Sequence, residues 1–221
     1  MKSKINTTKI AGIAIFSALT VVVALVCQII PPVAGFLSLD AKDAVISIAS
    51  FVYGPMSAVI ISFISSLIEI IFSTTGWYGF VMNFASSAVF SVTAALVYKK
   101  WRTLNGALAG FVAAIILTTG VMLVLNIFVT PIYMQHYLGI PMTSADVIDM
   151  IPKILLPFNF AKALMNAAIA MLIYKPVTMA LKRARLISGQ IDVKFNKRSV
   201  IVIIVGTVTL AAAITIFFII S

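Results

Sequence analysis

Seven apolar runs, separated by short polar, Pro-containing or Gly-containing breaks, fill almost the entire sequence. Hydrophobic residues make up 62% of the chain and charged residues only 10%, and the mean hydropathy is +1.16. No soluble domain needs that much apolar surface. The sequence therefore predicts an all-α, polytopic membrane bundle.

The apolar runs differ in length, and the second is short. We predict helices over residues 8–30, 44–53, 56–72, 77–98, 104–129, 151–174 and 199–220, with a longer loop over residues 131–152. The last run of about 22 residues rises roughly 33 Å as a helix, enough to span a bilayer. We accordingly divide the chain into a six-helix substrate-binding membrane core (residues 1–190) and a basic linker with an extra C-terminal transmembrane helix (residues 191–221).

Basic residues lie between the apolar runs, which is typical of cytoplasmic loops rather than of nucleic-acid binding, despite the net charge of +10. With a cytoplasmic N-terminus and seven crossings, 13 of the 16 basic residues are inside: Lys2, Lys4, Lys9, Lys99, Lys100, Arg102, Lys175, Lys182, Arg183, Arg185, Lys194, Lys197 and Arg198. The same topology places Asp40, Asp43, Asp146 and Asp149 outside. The sequence thus predicts a multi-pass cell-membrane protein with a cytoplasmic N-terminus.

Lys162 stands well inside the sixth apolar run. A Lys at mid-membrane costs about 2.5–3.5 kcal/mol on insertion scales, so it usually faces the protein interior or a ligand. Asn159, Lys162 and Asn166 share one helix face. We expect Lys162 to face the interior, with snorkelling to a membrane surface as the alternative.

Further polar residues fall near the same predicted end of the bundle: Asp40, Lys42, Asp43, Glu69 and Asn126, with the aromatic Trp77, Tyr78, Phe158 and Phe160 close in sequence. If these segments meet, they line an outward-facing pocket. Asn amides offer a donor and an acceptor together, which suits a planar ligand with an imide-like edge. The alternative is structural: a membrane Asn bonds a neighbouring helix, and Glu69 pairs with a Lys.

Enzyme signatures are absent from the sequence. It has one His, His136, and one Cys, Cys27, and neither a zinc-protease motif nor a Gly-rich nucleotide loop. We therefore expect no enzymatic activity, no metal site and no cofactor, and active uptake would require a separate motor.

Small residues recur on two helices. Ala14 and Ala18 form a small-xxx-small pair that lets another helix approach closely, either within this chain or from a partner. Gly106 and Gly110 form a second such pair, which favours internal packing over dimerisation.

Several motifs give the chain a resemblance to the S-components of energy-coupling factor (ECF) vitamin transporters, most of all to the riboflavin-binding ones. The motifs are residues 14–18, Leu39-Asp-Ala-Lys-Asp43, residues 51–55, Ser73-Thr-Thr-Gly76, Met82-Asn-Phe84, Asn126 with Thr130-Pro-Ile-Tyr133, and Leu156-Pro-Phe-Asn-Phe-Ala-Lys162. The resemblance covers residues 8–187. The combination of Asn126 with Asn159 and Lys162 is what points to riboflavin.

The resemblance implies a six-helix fold with a high-affinity outer site closed by the first and fifth loops. Riboflavin is then the transported ligand, with pantothenate or another vitamin precursor as the alternative. The ligand-binding residues implied or suggested are Asn126, Asn159, Lys162, Leu39, Asp40, Lys42, Asn83 and Glu69. Ala14 and Ala18 would dock on a transmembrane T-component that couples two cytoplasmic ATPases. The extra apolar run at 199–220 departs from the six-helix pattern.

Overall fold

The computed structural model describes residues 7–187 and 197–220, and these residues form a helical bundle. The helices are α1 (Thr7–Cys27), α2 (Lys42–Tyr53), α3 (Pro55–Glu69), α4 (Gly76–Lys100), α5 (Leu104–Tyr137), α6 (Ser144–Met150), a π-helical turn (Ile151–Leu155), α7 (Leu156–Arg183) and α8 (Lys197–Ile220). The prediction of an all-α bundle is confirmed.

The helices fall into two length classes. Among the described residues, five helical segments are long and apolar enough to cross a membrane: α1, α4, α5, the continuous stretch Ser144–Arg183, and Val200–Ile220. α2 and α3 have 12 and 15 residues, so they rise only about 18 and 22 Å, short of a hydrocarbon core of roughly 30 Å. α2 contacts α1, α3, α4 and α7, so this short helix lies within the bundle.

The chain reverses direction between α2 and α3 at Gly54. Its φ of 97° lies in the left-handed region that favours glycine, and Pro55 begins α3, where its missing N–H is not needed. The Gly54 N–H donates to the Ser50 carbonyl at 2.8 Å, and the Ser57 hydroxyl donates to the Gly54 carbonyl at 2.6 Å. The turn predicted from Gly54-Pro55 is confirmed.

The prediction that α5 ends near residue 129 is wrong, because the helix continues through Pro131 to Tyr137. A proline inside a helix leaves the carbonyl four residues earlier without its donor. Here that carbonyl belongs to Ile127, and the Ser144 hydroxyl donates to it at 3.1 Å. The predicted loop over residues 131–152 is thus mostly helical, and Tyr133 and His136 lie on α5.

Other helix ends also differ from the sequence-based boundaries. α1 and α3 end at Cys27 and Glu69, because the chain tightens into turns in which the N–H groups of residues 28–30 and 71–72 bond three residues back. α7 continues through Pro176 to Arg183 rather than ending near residue 174.

Helices α4 and α5 pack closely against each other in the interior of the bundle. A Cβ on Gly110 would lie 2.8 Å from the Ala94 carbonyl oxygen, so this glycine lets α5 approach α4. The expectation that the Gly106–Gly110 pair serves internal packing is confirmed at Gly110. Phe90 and Phe111, whose ring centroids lie 6.1 Å apart, fill the same interface.

α8 lies along α7. A Cβ on Gly206 would come within 3.0 Å of the Leu172 side chain, and Ala213 and Phe217 are buried. Residues 188–196 lie outside the described part of the chain, so the predicted boundary between residues 190 and 191 stays a prediction.

Candidate functional site

A cavity lined by both polar and apolar residues lies where α1, α3, α4, α5 and α7 converge with the connection between α1 and α2. We call this end of the bundle the site end. The cavity volume is about 130 Å³. Its lining residues are Ala24, Cys27, Gln28, Phe36, Leu37, Ser38, Leu39, Asp40, Glu69, Ser73, Thr75, Tyr78, Gly79, Met82, Asn83, Ser86, Met122, Asn126, Val129, Thr130, Tyr133, Phe158, Asn159 and Lys162.

Seven of the eight ligand-binding residues predicted from the sequence line this cavity: Leu39, Asp40, Glu69, Asn83, Asn126, Asn159 and Lys162. Segments more than 100 positions apart in sequence are thereby brought to one place. Lys42 is the exception, because it does not line the cavity and its side chain is buried in the bundle.

Asn126 on α5 and Asn159 on α7 are held in the same way. Each side-chain amide donates to the backbone carbonyl four residues earlier at 2.7 Å, Asn126 to Met122 and Asn159 to Leu155. The Thr130 hydroxyl donates to the Asn126 amide oxygen at 2.9 Å. Since an Asn amide has two N–H donors, each residue retains one for a ligand while its orientation is fixed.

Lys162 faces the protein interior, as predicted, and forms an ion pair with Asp40. Its ammonium donates to an Asp40 carboxylate oxygen at 2.7 Å and to the Ser38 carbonyl at 3.3 Å. Asn166, one helical turn further along α7, donates to the Asp40 carbonyl at 2.8 Å and accepts from the Ala44 N–H at 2.9 Å. Lys162 and Asn166 thus attach α7 to the segment preceding α2 and to the first turn of α2.

A second buried ion pair joins α2 to α3. The Lys42 ammonium donates to both Glu69 carboxylate oxygens, at 2.8 and 2.6 Å, and Asn83 on α4 donates to Glu69 at 3.0 Å. Lys42 is 1% exposed and Glu69 6%. Glu69 therefore pairs with a Lys, which is the structural role considered from the sequence, and it lines the cavity as well.

The charges around Asp40 keep its carboxyl ionised. Burial acts to raise the pKa of Asp40, but the nearby ammonium groups of Lys162 and Lys42 outweigh burial and hold the pKa below its ordinary value. The Lys42 backbone N–H also donates to this carboxylate at 3.3 Å. Asp40 thus presents a fixed negative charge beside the Lys162 ammonium.

The aromatic companions differ in part from the expected set. Tyr78 and Phe158 line the cavity, whereas Trp77 and Phe160 do not and are 66% and 39% exposed. Tyr133 also lines the cavity, although the sequence placed it in a loop and gave it no ligand-binding role. The spacing of seven residues from Asn126 would have placed Tyr133 on the same helix face, had α5 been extended past Pro131.

An apolar cluster braces the cavity-lining connection between α1 and α2. Leu37 and Leu39 from this connection are buried in one cluster with Val147 of α6, Leu155 of the π-helical turn and Phe217 of α8. The connection between α1 and α2 is therefore joined to α6, the π-helical turn and α8 through buried apolar side chains.

Ala14 and Ala18 lie on an exposed face of α1. The opposite face of the same helix is buried: a Cβ on Gly12 would overlap the Tyr53 ring, and Phe16 packs edge-on against that ring with centroids 6.1 Å apart. The alanine pair could pack within this chain or against a partner, and its exposed position favours contact with a partner.

Comparison with known proteins covers most of the chain. A family model described as "ECF transporter, substrate-specific component" matches residues 8–174. A solved structure described as "Structure and mechanism of the S component of a bacterial ECF transporter" superposes with a TM-score of 0.66 at 29% sequence identity. The superposition covers 80% of this chain and 99% of that one.

Curated relatives show the same similarity. The chain is 29% identical over 180 residues to "Riboflavin transporter RibU" of Staphylococcus aureus (strain TCH60), covering 79% of this chain and 93% of that protein. It is also 29% identical over 182 residues to "Riboflavin transporter RibU" of Streptococcus thermophilus (strain ATCC BAA-250 / LMG 18311), covering 78% and 83%. "Riboflavin transporter FmnP" of Bacillus subtilis (strain 168) is 23% identical over 170 residues, covering 75% and 90%.

Proposed function

This chain belongs to the family of substrate-specific components of ECF transporters, and we propose that it binds riboflavin in the cavity at the site end and delivers it across the membrane. The family consists of transport subunits rather than enzymes, and the chain is a multi-pass membrane protein. Inward delivery would require a transmembrane T-component and two cytoplasmic ATPases, as the family resemblance implies.

The observation that carries the proposal is the convergence of Asn126, Asn159 and Lys162 on one cavity. Two amides on facing helices supply the donor and acceptor groups that suit the imide edge of a flavin. The described contacts of the Lys162 ammonium use two of its three donors, which leaves one N–H for a ligand carbonyl oxygen. Three of the relatives are named riboflavin transporters, which supports the same ligand.

The volume of the cavity indicates that binding involves movement. At about 130 Å³, it is smaller than the roughly 300–1,000 Å³ typical of small-molecule sites. The segment over residues 38–40 has no regular secondary structure, and it follows Leu37, which pairs with Val33 in an isolated β-bridge. We propose that this segment moves outward to admit the ligand and closes over it afterwards.

The ligand can be tested on the purified full-length chain. Protein extracted from cells is expected to carry a flavin, visible as the characteristic absorption of the oxidised isoalloxazine ring. Protein without flavin absorption that instead binds pantothenate would move the assignment to another vitamin while leaving the transport role intact.

We also propose that the N-terminus is cytoplasmic and that the site end faces outward. The ends of α4 and α7 opposite the cavity carry Lys99, Lys100, Lys182 and Arg183, in agreement with the preference for positive charge on the cytoplasmic side. A cysteine introduced by Thr143→Cys should therefore react with a membrane-impermeant reagent added from outside. Labelling only after membrane disruption would reverse the topology.

The exposed alanines of α1 give a prediction on coupling. Ala14→Leu and Ala18→Leu should reduce riboflavin uptake at least about tenfold while leaving binding unchanged, because added bulk prevents close helix approach to a T-component. Ala212→Leu on the exposed face of α8 makes the same change elsewhere and should leave uptake intact. Loss of ligand binding in purified Ala14→Leu would show that this face packs within the chain.

The extra helix gives a prediction on domain organisation. Truncation after Gly189 should leave a folded, ligand-binding protein, because removing α8 exposes an apolar face of α7 to lipid tails that are equally apolar. Binding and elution volume in size-exclusion chromatography would report the outcome. Loss of binding would place α8 in the core, with Phe217 as the contact that matters.

A further inference from the structure

The C-terminal helix α8 reaches the side chains that form the wall of the proposed riboflavin cavity. Phe217 of α8 is 9% exposed and belongs to the apolar cluster that also contains Leu37, Leu39 and Phe158. The last three side chains line the cavity, whereas Phe217 does not. Phe217 therefore supports the cavity wall without lining the space for the ligand.

One face of α8 is fixed against α7. A Cβ on Gly206 would come within 3.0 Å of the Leu172 side chain, and Ala213 is 2% exposed. Ala213 follows Gly206 by seven residues and Phe217 follows Ala213 by four, so the three residues share one helix face. The family model matches residues 8–174 and thus ends before α8, so the contact made by Phe217 is an addition to the matched core.

Two sets of contacts hold the connection between α1 and α2 against the rest of the bundle. Asp40 forms its ion pair with Lys162 at 2.7 Å, and the side chains of Val33, Leu37 and Leu39 are buried in the apolar cluster. An outward movement of this connection must take the apolar side chains out of the cluster. The packing of the cluster therefore opposes opening of the cavity.

We propose that Phe217 is a positioning residue, which holds the connection between α1 and α2 in its closed position and so sets how fast riboflavin enters and leaves. The inference rests on the proposed function of the cavity. Removing the ring leaves its neighbours without contacts on one side, so they leave the cluster more easily. Since Phe217 does not line the cavity, it supports the closed position equally with and without ligand. Its loss should therefore speed association and dissociation alike and leave the Kd nearly unchanged.

The test compares the purified full-length chain with Phe217→Ala. Rapid mixing with riboflavin, followed by fluorescence quenching, measures association, and release of tritiated riboflavin into an excess of unlabelled riboflavin measures dissociation. Both rate constants are expected to rise about tenfold, equivalent to about 1.4 kcal/mol, while the Kd changes by less than about threefold. Phe217→Leu keeps a large apolar side chain and should restore most of the parent's rates.

Phe218→Ala is the matched control, because Phe218 is the next residue of the same helix, is 74% exposed and does not belong to the cluster. It should leave both rate constants unchanged. Circular dichroism and size-exclusion elution would establish that each variant is folded. Unchanged rates in Phe217→Ala, or equal acceleration in Phe218→Ala, would overturn the proposal. Faster dissociation alone, with a matching loss of affinity, would also overturn it, because Phe217 would then act only on the bound state.

Hydrogen exchange in the ligand-free chain tests the same movement without riboflavin. The Val33 and Leu37 N–H groups each donate to the other residue's carbonyl at 3.0 Å, and both residues are buried, so their exchange reports opening of the connection. Exchange over residues 33–40 should be faster in Phe217→Ala than in Phe218→Ala or the parent. Equal exchange in the three proteins would overturn the inference, whereas a parent that opens in this way but binds no riboflavin would overturn the assigned ligand alone.

Discussion

Replacing Glu69 with leucine is expected to lower the free energy of unfolding by about 3–5 kcal/mol, because it leaves a buried ammonium without its carboxylate. The Lys42 ammonium has both of its short carboxylate contacts with Glu69, and Lys42 is only 1% exposed. Asn83 loses its acceptor at the same time. Equilibrium unfolding in detergent, followed by circular dichroism, measures the loss.

The double variant Lys42→Met with Glu69→Leu provides the control. Removing both charges eliminates the unpaired ammonium, and replacement of a buried ion pair by apolar residues is often neutral or stabilising. The double variant should therefore recover most of the stability lost in Glu69→Leu. If the single variant loses less than about 1 kcal/mol, the pair behaves as a solvent-exposed one and the buried arrangement is contradicted.

Asn159→Ala is expected to weaken riboflavin binding by about five- to a hundredfold, because loss of a buried hydrogen-bond partner typically costs about 1–3 kcal/mol. Quenching of riboflavin fluorescence by the purified variant measures the change. Asn105→Ala makes the same substitution at an exposed position at the start of α5 and should bind like the parent. Unchanged affinity in Asn159→Ala would exclude this amide from the site.

Lys162→Met should also bind riboflavin more weakly, but its effect on folding differs from the expectation based on the sequence. From the sequence, removal of an intramembrane charge is expected to let the variant insert and fold at least as well as the parent. Asp40 pairs with Lys162 at 2.7 Å and is buried, so Lys162→Met leaves an uncompensated carboxylate and should destabilise the protein. The variant Lys162→Met with Asp40→Asn separates the two effects, since it removes both charges and should regain stability without regaining affinity.

The sequence was sufficient for the parts of the fold that depend on local composition. Apolar runs identified the helices, and Gly54-Pro55 located the turn between α2 and α3 because a left-handed φ followed by proline has a local cause. The course of α5 was missed because it depends on a distant residue. Pro131 normally indicates a helix end. Among the described residues, the Ser144 hydroxyl, 17 positions after Ile127, donates to the freed carbonyl.

The candidate site was predictable to the extent that polar residues in apolar runs are costly. This cost singled out Asn126, Asn159 and Lys162, all of which line the cavity. The ion pairs of the site were not predictable from the sequence. The choice of carboxylate partner for each ammonium depends on how deeply the short helix α2 lies in the bundle. Lys42 was assigned to the ligand for this reason, although it bonds Glu69. We expect Lys42 to act on the ligand only by orienting Glu69.

The most direct measurement of the central claim is a titration of the purified, ligand-free full-length chain with riboflavin, with pantothenate added as a competitor. The account predicts saturable quenching of riboflavin fluorescence at one site per chain, insensitive to pantothenate and weakened in Asn159→Ala but not in Asn105→Ala. Absence of saturable quenching, or displacement of riboflavin by pantothenate, would contradict the assignment of riboflavin to the cavity formed by Asn126, Asn159 and Lys162.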